Sequence, residues 1–92
     1  MTLPPDSRFK TQPDISVRVL DGEAVLLNTR TGAYFSLNKV GTHIWQLYGA
    51  GQTAAEVLAG VRERFAVEPE RAETDLQNLT EKLLDRGLLL PA

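Results

Sequence analysis

The chain has 92 residues and a formal net charge of -2, with 42% hydrophobic and 24% charged residues. A chain this short makes one domain, buries only about 60–65% of the surface its unfolded form exposes, and leaves little room for a deep, enclosed active site. The charge balance lacks the basic footprint of a nucleic-acid binder, and the absence of cysteine excludes disulfides, thiolate metal sites and cysteine catalysis.

The first ten residues, MTLPPDSRFK, lack the apolar stretch of a signal peptide. No apolar run approaches the ~20 residues needed to cross a bilayer. The sequence therefore reads as that of a cytoplasmic protein with no membrane partner. Residues 1–14 carry Pro4, Pro5 and Pro13 with little apolar periodicity, and are expected to form a flexible N-terminal tail ahead of a domain spanning 15–92.

From Ser16 the pattern has a period of two, with Val17 and Val19 alternating with Ser16 and Arg18. Asp21-Gly22 accepts the positive φ of a tight hairpin turn. Glu23–Asn28 reads as a second strand, 29–32 as a turn with Gly32 in a left-handed position, and 33–37 as a third strand. Short links between successive strands predict an antiparallel meander in sequential order.

After Leu37 the period becomes helical. Asn38 is placed as an N-cap, and Val40, Ile44, Leu47 and Tyr48, extended by Trp45, make an apolar face that ends at Gly49-Ala50-Gly51. Thr53 and Glu56 form a T-x-x-E capping box before Val57, Leu58, Val61 and Phe65, with Gly60 a weak point inside that helix. Pro69 opens a third helix whose stripe is Ala72, Leu76, Leu79 and Leu83. Gly87 stops it, with Leu88 folding back on Leu83. The fold class is thus α+β: a three-stranded antiparallel sheet followed by three helices, the last two resembling a helix-turn-helix, the whole resembling a winged helix.

The sequence offers no catalytic residues and implies no cofactor. His43, the only histidine, falls on the polar side of its helix, with no nucleophile-base pairing, and reads as a solvated surface residue. No HExxH or CxxC metal spacing occurs, and the glycines form neither GxGxxG nor a P-loop. Glu68, Glu70, Glu73 and Asp75 crowd the start of the third helix, where they favour its dipole by roughly 0.3–1 kcal/mol each. Residues 68–86 carry six acids (Glu68, Glu70, Glu73, Asp75, Glu81, Asp85) against three bases (Arg71, Lys82, Arg86). Phosphates would be repelled by such a helix, which argues against DNA as a partner.

The edge strands of the meander differ. The strand from Ser16 carries Arg18 and follows Pro13-Asp14, whereas Ala33, Tyr34, Phe35, Ser36 and Leu37 contain no charge and no proline. Exposed edges usually carry such a guard. An unguarded edge can accept a peptide strand, with backbone hydrogen bonds giving affinity and pockets for alternate side chains giving specificity. A stripe of Arg71, Asp75, Asn78 and Lys82 beside the core leucines could form the polar rim of a groove. Other readings stay open from the residues alone: Tyr34 and Phe35 as plain sheet packing, the polar stripe as a solvated face, the edge covered by the tail or by a second copy.

The stretch Gly22-Glu23-Ala24-Val25-Leu26-Leu27-Asn28, then Thr31-Gly32-Ala33-Tyr34-Phe35-Ser36-Leu37-Asn38 and Gly41-Thr42-His43-Ile44-Trp45, resembles the PqqD family. So does the ending Asp75-Leu76, Leu79, Leu83 and Arg86-Gly87-Leu88, and the likeness covers roughly residues 15–90. It implies a RiPP recognition element: a peptide chaperone that binds the leader of a ribosomally made precursor as an extra strand beside the third helix. The bound leader is presented to a tailoring enzyme, a radical SAM protein in pyrroloquinoline quinone synthesis or a leader protease in lasso-peptide clusters. Carried over, Ala33, Tyr34, Phe35, Ser36 and Leu37 would pair with leader backbone, Leu76, Leu79 and Leu83 would floor the groove, and Asp75, Asn78 and Lys82 would lie nearby. Family members exchange elements between copies, which leaves room for a homodimer. Two readings of other classes compete: a winged-helix transcription regulator, and a dimerisation module whose edge pairs with itself.

Overall fold

Alternating apolar and polar residues set the first hairpin. Ile15–Leu20 (β2) and Glu23–Asn28 (β3) pair antiparallel in a register that joins Ile15 to Asn28 and Leu20 to Glu23. Asp21 and Gly22 between them have φ of 53° and 78°, the paired positive values of a two-residue hairpin turn. A second hairpin leads to Tyr34–Leu37 (β4), which pairs with β3 from Leu27↔Tyr34 to Ala24↔Leu37. In its loop the Asn28 side chain accepts the N–H groups of Arg30 and Thr31, and Gly32 takes a φ of 77°. The sheet order is β2-β3-β4, as the sequence predicts. The computed structural model that gives this fold describes residues 2–92.

Three helices follow: Lys39–Gly49 (α1), Ala54–Arg64 (α2) and Pro69–Asp85 (α3). Their ends use the expected local chemistry. Asn38 accepts the Gly41 N–H, Thr53 and Glu56 form a reciprocal capping box, and Pro69 sits at the first position of α3. At the end of α3 Gly87 has a φ of 69°, the Leu88 N–H donates to Leu83 and the Gly87 N–H to Leu84, the two bonds of a Schellman motif.

The inner face of β3 and β4 packs on α1 through Ala24, Leu26 and Leu37, and the core continues through Ile44, Trp45, Tyr48, Val57, Val61, Ala72, Leu76 and Leu83. At its centre the Tyr48 hydroxyl meets Thr80 Oγ1 at 2.9 Å, and Thr80 donates in turn to the Leu76 carbonyl at 2.7 Å. Burial raises the pKa of Tyr48, so the phenol stays neutral there. Gly60 is explained by packing. A Cβ built on it would lie 2.7 Å from Leu47 Cδ1, so the glycine lets α2 approach α1 at some cost in helix propensity.

The N-terminal segment departs from expectation. Phe9–Thr11 (β1) pairs antiparallel with Leu89–Pro91 (β5), making a second, two-stranded sheet. Phe9 is buried, with its ring edge-on to Tyr48 at 5.2 Å. The carbonyls of Ser7 and Pro5 accept the N–H groups of Ala54 and Ala55, and the Arg8 guanidinium donates to the Gly51 carbonyl. The Ser7 and Pro5 carbonyls satisfy first-turn donors of α2 that its capping box leaves over. The segment expected as a loose tail is therefore tied down by backbone pairing and one aromatic anchor; Met1, also assigned to that tail, lies outside the described residues. Among the described residues no helix is long and apolar enough to cross a membrane.

Candidate functional site

β4 bonds to β3 on one side only. The Asn28 N–H donates to the Ala33 carbonyl at 2.8 Å, which makes that pair a hydrogen-bonded one. Antiparallel pairs alternate, so Phe35 bonds inward to Leu26 while the backbone groups of Tyr34 and Ser36 point away from the sheet. Two residues of open edge face outward, and no charge or proline guards them.

Between this edge and α3 lies a groove of about 630 Å³. Phe35, Ser36, Leu37 and Asn38 line one wall, Arg71, Asp75, Asn78, Leu79 and Lys82 the other, and Val40, Gly41 and Ile44 of α1 contribute between them. Ala66 and Val67, in the α2–α3 turn, close one end. A Cβ on Gly41 would sit 3.2 Å from Leu37 Cδ2 and 3.3 Å from Leu79 Cδ2, so this glycine lets strand, α1 and α3 meet. At the other end the Arg86 guanidinium lies over the Phe35 ring, 5.6 Å from its centroid. β4 and α3 therefore run in opposite directions along the groove.

Seven of the residues singled out from sequence line this groove together: Phe35, Ser36, Leu37, Asp75, Asn78, Leu79 and Lys82. Four do not. Ala33 precedes the strand; its carbonyl takes the Asn28 N–H and its own N–H donates to Thr31 Oγ1, so its backbone serves its own hairpin. Tyr34 is 72% exposed on the outer sheet face, paired with Leu27 and near Val25. Leu76 and Leu83 are fully buried beneath α3. Leu79, three residues past Leu76 and so about 60° round the helix, is the leucine that faces the groove.

Asn38, Val40, Gly41, Ile44, Ala66, Val67 and Arg71 also line the groove, and all but Arg71 escaped the sequence reading as groove residues. Gly41 carried one signal, a glycine within the first helical turn where alanine would be more stable. Arg71 and Asp75 form an exposed ion pair at 3.5 Å, worth little by itself. Lys82 has no ion-pair partner among the described residues.

His43 lies elsewhere, between α1 and α2. It is half-buried, its ring against Phe65 at 5.8 Å, and not freely solvated as expected. Burial first and Arg64 second lower its pKa, against a backbone hydrogen bond at Gly60. Packing on Phe65, which polar-face periodicity does not register, accounts for the difference.

Residues 23–89 match the model of the family described as coenzyme PQQ synthesis protein D, PqqD. The chain belongs to the PqqD family. Within that match fall β3, β4, all three helices and the groove they frame. Two solved structures resemble this PqqD-family chain closely. One is TbiB1 in complex with the TbiA(beta) leader peptide, 31% identical, with a TM-score of 0.78 over 87% of this chain and 93% of that one. The other is a lasso peptide synthetase B1 complexed with the leader peptide, 34% identical, with a TM-score of 0.80 over 91% and 99%. No curated protein shows a significant match.

Proposed function

We propose that this chain is a non-catalytic, cytoplasmic leader-binding protein. It takes the leader of a ribosomally synthesised precursor as an added strand on β4, with alternate side chains turned into the groove against α3, and presents it to a processing enzyme. The observation that carries the reading is the open, unguarded edge of β4, whose outward backbone groups at Tyr34 and Ser36 lie beside a groove that Phe35, Ser36, Leu37 and Asn38 wall on one side and a helix on the other. The solved relatives, both described as complexes with leader peptides, support it. One of them is described as a lasso peptide synthetase B1, and that match favours a leader protease as the enzyme partner over a radical SAM protein.

The test takes leader peptides of the kind bound in the two similar structures. Each, made as a synthetic peptide, is titrated into isotope-labelled protein while backbone amide signals are followed. Shifts concentrated at 34–37 and along 71–82 are expected. No binding, or shifts confined to the outer sheet face, would sink the reading.

A further inference from the structure

Charge on α3 is sorted by face in a way its composition hides. Of the six acids in 68–86 only Asp75 lines the groove, and Arg71 lies 3.5 Å from it. All three bases border the groove: Arg71 and Lys82 in its wall, Arg86 over the Phe35 ring. A chain of net charge -2 thus presents a groove with an excess of positive charge. The excess is local. Near Arg71 the pair with Asp75 neutralises it, whereas near Phe35 nothing among the described residues pairs with Lys82. The Arg86 guanidinium lies over Phe35 and has no ion-pair partner among the described residues, so its N–H groups can bind a carboxylate.

The spacing fits an extended chain. Lys82 and Arg86 are one helical turn apart, about 6 Å along the axis. Side chains two apart on a strand lie on one face at about 6.6 Å. We propose that the occupant of this groove is an acidic peptide segment, with two carboxylate side chains spaced i, i+2 that face Lys82 and Arg86. An apolar side chain two residues further along sits over Leu79, Val40 and Ile44. This rests on the leader-binding reading above and specifies which leaders the groove prefers.

The test uses a display library of random peptides about 15 residues long, enough for a paired strand with flanks at about 3.3 Å per residue. Selection on the full chain should enrich Asp or Glu at i, i+2 beside an apolar residue. Replacing either acid by its amide should weaken binding about two- to fivefold. Lys82 is exposed, so Lys82→Glu should fold normally and shift the selected position from acidic to basic. Peptides enriched without acids, or a selection unchanged by Lys82→Glu and Arg86→Gln, would overturn the acidic preference while leaving leader binding intact. If no peptide is captured, both readings fall. Tight binding of a duplex oligonucleotide that weakens steeply with salt would make the anion a phosphate backbone and also overturn the proposal.

Discussion

The hydroxyl of Thr42 accepts the Ala24 N–H at 2.8 Å and lies 3.4 Å from the Leu37 carbonyl, so a side chain from α1 bridges the end of the β3–β4 ladder. Thr42 is buried, and the bridge fixes how α1 sits under the strand that edges the groove. Thr42→Val keeps the shape but strands a buried N–H, which should cost about 1–3 kcal/mol. Thr42→Ser keeps the hydroxyl and should lose less. Urea unfolding of both variants checks the order; equal losses would mean that the methyl group, not the hydrogen bond, matters at this position.

Phe9 belongs to the core and not to a tail. Its ring packs edge-on to Tyr48, and its strand pairs with β5. Phe9→Ala should therefore destabilise the protein by about 3 kcal/mol, in the range for emptying a buried aromatic site. Chemical denaturation measures this directly. A loss under about 0.5 kcal/mol, the usual size of a surface substitution, would restore the tail reading.

What the sequence made legible was local. The Asp21-Gly22 turn, the Thr53–Glu56 capping box and the Gly87 stop each depend on residues a few positions apart, and each is present. The pairing of Phe9–Thr11 with Leu89–Pro91 joins two three-residue strands from opposite ends of the chain, too short to show alternation. For the site, the unguarded strand was legible because it is a matter of composition. Which leucine of α3 faces the groove was not: Leu76, Leu79 and Leu83 share one apolar stripe, and only the position of α1 and β4 decides that Leu79 is at its margin. The charge of the groove was hidden for the same reason, since a count over 68–86 averages faces that the fold separates.

His43 ties stability to pH. Its pKa in the folded chain is lowered from the ordinary 6.5, chiefly by burial and then by Arg64. The unfolded chain thus binds the proton more readily, so the contribution of neutral His43 is complete above about pH 6.5 and is lost as pH falls through the lowered value. Urea midpoints taken from about pH 7.5 to about pH 5.5 should fall, and the fall should be shallower in His43→Gln. A wild-type midpoint that rises on acidification would contradict the sign.

Ser36 gives the most direct reading of the edge. Alternation along β4 turns its N–H outward, so no bond to β3 is lost when it is removed. Proline is tolerated on an edge strand with its missing N–H toward solvent, so Ser36→Pro should remain folded. Strand addition, however, uses that N–H, and its loss should weaken leader binding about tenfold, the scale of one net backbone hydrogen bond plus the ring's bulk. Ser36→Ala, which keeps the N–H, should bind nearly as the parent does. Calorimetric titration of the cognate leader into both variants separates backbone from side chain. A folded Ser36→Pro variant with parental affinity would mean that the leader, if it uses the groove, is held by side chains on α3 and not by the edge of β4.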